Sequence, residues 1–158
     1  MNIMEEGPMK LSDLKVDQLG FVFKDIETQA WIMEQAFGLT KFMFGKPETQ
    51  IIQYRGKESR ITSQLAFSQM KGTQIELINW IDGECTYKEF LEGGKEGLHH
   101  IATYVEDTDL YLAEFHKQGI SVLQAGEVLY TRFTYLDTQE KFGTIIELLE
   151  RIKRRKKK

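Results

Sequence analysis

The sequence predicts an α+β fold built from two similar modules, each a strand, a helix and then several strands. An internal repeat predicts it first. The run VDQLGFVFKDIE at residues 16–27 matches LHHIATYVEDTD at residues 98–109, 82 positions on, and TQIEL at 73–77 matches TIIEL at 144–148, 71 positions on. Two matches in the same order describe one plan used twice, with extra loop in one copy. The second observation is periodicity: two helix-period runs stand among many short runs of strand period. The third is that Gln18, Glu76, His100 and Glu147 interrupt apolar strands at equivalent places in the two copies.

The elements follow in order. Residues 1–12 read as a leader, 13–81 as the first module, 82–96 as a connector, 97–150 as the second module and 151–158 as a basic tail. Leu14 to Phe23 predicts a strand. Glu27 to Phe37 predicts a helix with Ala30, Trp31, Ile32, Met33 and Phe37 as its apolar residues, Asp25 as N-cap and Gly38 as the stop. Strands are expected near Lys41–Phe44, Ile51–Tyr54, Ile61–Phe67 and Thr73–Trp80, separated by Gly45-Lys46-Pro47, Gly56 and Lys71-Gly72. In the connector, Tyr87 to Glu92 predicts one or two helical turns ended by Gly93-Gly94. The second module repeats the plan with a strand at Leu98–Val105 and a helix at Thr108–Gln118. Strands are then expected at Ser121–Leu123, Glu127–Thr134 and Thr144–Leu149. Neither helix is long enough to stand alone, so each must pack on its module's sheet.

Composition narrows the function. The 158 residues are 41% hydrophobic and 28% charged, which supports a real core. No run approaches the roughly 20 apolar residues of a membrane span. The acidic start MNIMEE lacks the layout of a signal peptide. One cysteine, Cys85, rules out an internal disulfide and fits a cytoplasmic protein; it sits in a polar linker and reads as an ordinary thiol. The last eight residues carry seven positive charges, leaving 14 basic against 24 acidic residues in 1–150, a balance of −10. Such a body is not a general nucleic-acid binder, and the tail reads as a solvated terminus, with a phosphate-rich partner as the alternative.

The four polar residues carry the chemistry. Along a strand Glu76 shares a face with Ile78, and Glu147 with Ile145 and Leu149, so both carboxylates point to an apolar side where charge needs a partner. His100 faces away from His99, and the repeat pairs it with Gln18. One amide oxygen, one imidazole nitrogen and two carboxylates suit a divalent ion such as zinc, nickel, cobalt, manganese or iron. The alternative is two surface glutamates, a capping glutamine and a satisfied histidine. His99 reads as structural or as a support to the site, His116 as solvated. The strand aromatics Phe21, Phe23, Phe67, Trp80, Tyr104, Phe133 and Tyr135 read mostly as core, some lining a pocket. No phosphate loop, dinucleotide fingerprint, nucleophile elbow or zinc-finger spacing is present.

From Leu14 to Glu150 the chain resembles the vicinal-oxygen-chelate superfamily, the glyoxalase/bleomycin-resistance fold. That resemblance implies two fused βαβββ modules forming a cupped mixed sheet with a metal in the cup. VDQLG at 16–20, GLHHIA at 97–102 followed by VED at 105–107, and GTIIEL at 143–148 are similar to the motifs of methylmalonyl-CoA epimerases. The resemblance implies metal ligands at Gln18, Glu76, His100 and Glu147, with Glu147 as catalytic base and Glu76 as its partner. It further implies a metal-dependent isomerase or lyase acting on a small thioester or ketoaldehyde adduct, and a homodimer. Epimerases usually carry His where Gln18 stands; Gln, Glu, His and Glu are instead similar to the ligands of lactoylglutathione lyase (glyoxalase I). Gln64 aligns with the epimerases' second base, and Val22 and Glu96 stand where glyoxalase I places its arginine clamp. A metal-free binder of the bleomycin-resistance type is the alternative from another class. An extradiol-type dioxygenase would want two His and one Glu for iron(II), which Gln18 denies.

Overall fold

In a computed structural model, which describes residues 10–153, each of the two long helices starts on an aspartate. Asp25 accepts the Thr28 N–H at 3.0 Å and opens α1 (Ile26–Phe37); Asp107 accepts from Asp109 and Leu110 and opens α3 (Thr108–Lys117). Gly38 ends α1 in the left-handed region, at φ 67°, as its position predicts. Around the helices run β1 (Gln18–Val22), β2 (Met43–Phe44), β3 (Glu48–Tyr54), β4 (Lys57–Met70), β5 (Thr73–Asp82), β6 (Gly97–Tyr104), β7 (Val122–Val128), β8 (Thr131–Leu136) and β9 (Ile145–Arg151). Short helices α2 (Thr86–Glu92) and α4 (Gln139–Phe142) and a 3-10 turn at Leu11–Asp13 complete the order. Most of the expected leader and tail, residues 1–9 and 154–158, lies outside the described residues. Among the described residues no helix is long and apolar enough to cross a membrane.

The sheet is mixed and strongly curved. β1 lies parallel to β5 and antiparallel to β6, and β6 lies parallel to β9, so the first strands of the two copies meet at its centre. The sheet continues through β8 and β7 on one side and through β5 and β4 to β3 on the other. Two residue pairs, Gln53 with Ala125 and Tyr54 with Gln124, join β3 to β7. The cup therefore closes on itself as a ring of eight strands, with β2 added on β4.

Strand alternation sorts the side chains into layers. Outward residues meet the helices: Leu19, Phe21, Ile75 and Leu77 pack with Ile26 and Ala30, while Ile101, Ile146 and Leu148 pack with Tyr111 and Phe115. Each large apolar side chain so buried contributes roughly 1.5–3 kcal/mol. Inward residues at one end of the ring, among them Val22, Ile78 and Ile145, form a third cluster with Cys85, Tyr87, Phe90 and Leu91 from α2 and the segment before it. That cluster fills one end and leaves a cavity toward the other.

Several expectations shift. Residues 127–134 are not one strand. Leu129 and Tyr130 both take positive φ, 45° and 63°, and form the turn between β7 and β8. With no Gly or Asn there, the turn gave no signal; pairing on both sides holds it. Cys85 is not in a solvated linker. It is buried in the core, and desolvation pushes its thiol up to about 11. Helix α4 was not expected. His116 is exposed, as predicted.

Candidate active site

Four elements aim the predicted residues at one point. On the inward faces of β1, β5, β6 and β9, Gln18, Glu76, His100 and Glu147 converge on His100 Nε2. That nitrogen stands 3.0 Å from Glu147 Oε2, 3.4 Å from Gln18 Oε1 and 3.9 Å from Glu76 Oε1. Three of the four are buried, Gln18 at 5% exposed, Glu147 at 4% and His100 at 0%, and Glu76 is partly buried, its side chain 12% exposed. The Gln18 amide nitrogen donates to Gln74 Oε1 at 2.7 Å, which turns the Gln18 oxygen toward the imidazole. Gln74 faces the same cavity two residues before Glu76, so β5 supplies a ligand candidate and its neighbour's orienting group on one face.

Backbone geometry makes room for the imidazole. Gly20 pairs with His100 across β1 and β6, and a Cβ at position 20 would lie 1.9 Å from His100 Cε1. Only glycine leaves the ring its place. The register slips at the next step, where Phe21 faces Leu98, so His99 is the extra residue of a β-bulge. This corrects the expectation that His99 and His100 point to opposite faces. Their rings meet edge-on with centroids 5.2 Å apart and Nδ1 atoms 3.0 Å apart.

Burial and mutual charge tune the cluster. Desolvation, reinforced by the Glu147 charge and opposed by His100, raises Glu76 to about 7. Burial disfavours a charged His100, but the Glu147 and Glu76 carboxylates outweigh it and raise its pKa. His99 is pushed well below the usual histidine range, by burial first and by His100 second. Tyr87 and Tyr135, joined by a 2.9 Å hydroxyl–hydroxyl bond beside the carboxylates, are held far above ordinary tyrosine, chiefly by burial.

The cavity above the cluster measures about 200 Å³. Gln50, Ser63, Leu65, Phe67, Tyr104, Val128, Leu129, Thr131, Phe133 and Leu149 form its walls, so four of the predicted strand aromatics, Tyr135 included, line it. Phe21 and Phe23 pack toward α1 instead, and the Trp80 indole donates to the Gly83 carbonyl. The only carboxylates on the cavity wall among the described residues are Glu76 and Glu147, and no lysine or arginine lines it. Gln64 lies off the cavity; its amide donates to the Gly45 carbonyl at 2.9 Å. Val22 is in the core, and Glu96 accepts the Lys24 N–H.

A divalent cation suits the chemistry of this donor set. Among the described residues no three His, Cys, Asp or Glu side chains stand ready-spaced around a common ion position; the cluster is drawn in upon itself. Yet Glu147 Oε2 is buried and, despite its nearness to His100 Nε2, has no directed hydrogen bond. A buried carboxylate oxygen whose one near nitrogen lies off the line of a directed hydrogen bond is what a cation would satisfy. Gln74, Tyr87 and Gly20 were not singled out as site residues from the sequence, and the bulge that brings His99 beside His100 was not foreseen. The adjacency of Gln74 to Glu76 on one strand face was the one signal available for any of them.

Known proteins place the chain. The model of the Glyoxalase/Bleomycin resistance protein/Dioxygenase superfamily matches residues 17–135. No curated protein matches it in sequence. Among solved structures it is similar to a hypothetical protein from Bacillus halodurans C-125, at 17% identity and a TM-score of 0.66 over 90% of this chain and 98% of that one. It is similar to methylmalonyl-CoA epimerase from Mycobacterium tuberculosis, at 19% identity and 0.62 over 87% of each. It is also similar to a Streptomyces coelicolor methylmalonyl-CoA epimerase variant in complex with 2-nitronate-propionyl-CoA, at 18% identity and 0.65 over 87% and 94%. At these identities the likeness is one of fold. The chain belongs to the glyoxalase/bleomycin resistance protein/dioxygenase superfamily.

Proposed function

We propose that this protein is a divalent-metal-dependent enzyme that moves a proton alpha to a carbonyl, in the manner of an acyl-thioester epimerase. The observation that carries the reading is the pair of carboxylates, Glu147 buried and Glu76 largely so, flanking His100 Nε2 at the base of a cavity whose other lining residues among those described carry no charge. The fold likeness to epimerases, one of them holding an acyl-CoA compound, supports the substrate class. Gln18, Glu76, His100 and Glu147 would hold the cation, which supplies Lewis-acid stabilisation of negative charge on the substrate oxygen.

The chain's own residues do the proton work. Glu147 removes the proton alpha to the carbonyl, and Glu76 delivers a proton to the opposite face; in the reverse direction the roles exchange. In the metal-free protein burial raises Glu76 to about 7, within the range of general acid–base work; a cation held beside it would lower that value. The apolar walls Leu65, Phe67, Phe133 and Leu149 exclude water from the carbanionic species. With Gln64 outside the cavity, the second base falls to Glu76. The four ligand types resemble glyoxalase I more than an epimerase, but among the described residues no arginine or lysine lines the cavity to meet glutathione's carboxylates. A homodimer in the cytoplasm belongs to the same reading.

The test is proton exchange in deuterated water. Protein loaded in turn with zinc, nickel, cobalt or manganese is given methylmalonyl-CoA, and separately the glutathione–methylglyoxal adduct. The expected result is metal-dependent deuterium incorporation at the alpha carbon of the thioester. Turnover of the adduct alone would transfer the reading to the lyase. Tight binding of either compound without exchange under any metal would leave a ligand-binding protein.

A further inference from the structure

The paired histidines carry a consequence of simple proton counting. Two imidazole Nδ1 atoms 3.0 Å apart need one proton between them: two lone pairs repel, and two N–H groups clash. The other nitrogen of His100 faces only oxygen, from Glu147, Gln18 and Glu76. To bind a cation, Nε2 must offer its lone pair, and a neutral ring then holds its proton on Nδ1. With a cation bound, His100 Nδ1–H would donate to His99 Nδ1, and the proton of His99 would lie on its own Nε2.

We propose that His99 is a positioning residue, which fixes His100 in the tautomer able to hold a divalent cation. The inference rests on the metal-dependent reading above. Metal-bound histidines are usually oriented by a carboxylate or a carbonyl at the far ring nitrogen; here a second imidazole takes that place. Three observations carry the assignment independently of the distance. The β-bulge turns His99 to the face of His100, which regular alternation would forbid. The ring is 1% exposed and caged by Tyr87, Phe90 and Tyr135 with centroids 5.3–5.5 Å away, so it cannot swing off. Its Nε2 is buried without a directed hydrogen bond, the Thr86 backbone beside the ring favours a proton there, and the residue borders a second cavity of about 510 Å³ lined from α2 and α4. The second proton thus has a place to stand.

The experiment is zinc binding by the full chain, in competition with a chromophoric chelator, for wild type, His99→Phe and His99→Asn. Phe keeps the ring in its aromatic cage but removes the acceptor. Asn opens the cage but offers a carbonyl near the position of Nδ1. His99→Phe is expected to weaken zinc binding by about 10–100-fold, the usual effect of losing such a support, with His99→Asn recovering part of it. Thermal stability should rank the two the other way, so a purely structural role cannot mimic the pattern. Imidazole ¹⁵N spectra of the zinc-loaded protein should show His99 protonated at Nε2 and His100 at Nδ1. Full zinc affinity in His99→Phe, or a proton on His99 Nδ1 in the zinc form, overturns the inference and leaves the metal reading standing. No uptake of zinc by wild type removes both.

Discussion

Two parallel strand pairs, β1 with β5 and β6 with β9, carry the four converging side chains in the same register. Gln18 lies beside Gln74 and Gly20 beside Glu76; His100 lies beside Ile145 and Ala102 beside Glu147. These are the same pairings shifted by 82 positions on one strand and 71 on the other. What differs is the company each side chain keeps. Gln18 is oriented by an amide on its own parallel partner, whereas His100 has an isoleucine there and is met by His99 from its own strand. The space for the His100 ring comes from Gly20 in the other half, while the matching Ala102 carries a methyl. Neither half holds a complete site. Duplication supplied the register, and a few unlike side chains made one point of convergence out of it.

The comparison is tested most severely at its two glutamates. Glu147→Gln is expected to lower epimerisation by about 10²–10⁴-fold while keeping the fold, the usual range for loss of a general base. Glu76→Gln should lose epimerisation to a similar degree. Each variant keeps one base, so each should still exchange the alpha proton of one epimer and not the other. Deuterium incorporation measured separately on the two epimers reads this out. Full epimerisation in either variant would remove that residue from the mechanism.

The next contrast is Gly20 against Ala102. A methyl at position 20 collides with the imidazole at 1.9 Å, so Gly20→Ala must displace His100 or the strand. Overpacking of this kind costs about 1–3 kcal/mol or more, and zinc affinity should fall with it. Ala102→Gly removes a methyl and adds chain freedom, costing roughly 0.5–1 kcal/mol. Denaturant melts of the two variants, with zinc titrations alongside, measure the asymmetry. Equal costs would mean that the two strands are interchangeable after all.

A smaller effect separates the glutamates by pH in the metal-free protein. Glu76 is raised from 4.5 to about 7 by burial, so between those values the folded state binds the extra proton. Stability from this group is present below about 4.5 and lost as pH rises through about 7. His100, also raised, acts in the same direction, and His99, lowered, acts in the opposite one. The difference between wild type and Glu76→Gln reports the carboxylate together with its pull on His100, which acts in the same direction. The variant should gain on wild type from pH 5 to pH 8 by about 1–3 kcal/mol, an order-of-magnitude value from the size of the shift. A gap that does not grow with pH would show that Glu76 ionises freely in the folded protein.

What could be seen in the sequence, and what could not, divides along physical lines. The two offsets of the repeat are the two register relations of the sheet, because strand alternation forces equivalent residues to equivalent faces. Asp25 and Gly38 stood out because helix ends have few chemical solutions. The bulge at His99 did not, since one unpaired residue leaves the pattern of apolar residues intact. Nor did the Leu129-Tyr130 turn, whose left-handed backbone is imposed by its strands. The seam from β3 to β7 is long-range pairing with no local signal at all. The burial of Cys85 depends on where α2 lands, which its polar neighbours conceal.

The gentlest test lies where the halves agree. Asp25 and Asp107 stand 82 positions apart and both cap a helix through a side-chain oxygen. Each carboxylate lies at a helix N-terminus, where unsatisfied N–H groups and the helix dipole favour negative charge. Replacing either by Ala should cost about 1 kcal/mol. The two costs should agree within a few tenths, although α1 and α3 pack on different sets of strands, because both caps are exposed and local. Urea melts of Asp25→Ala, Asp107→Ala and the double variant measure this, and distant sites should add. If one cap cost several times the other, the helices would not be equivalent parts of one repeated unit, and the symmetry would be confined to the strands that carry Gln18, Glu76, His100 and Glu147.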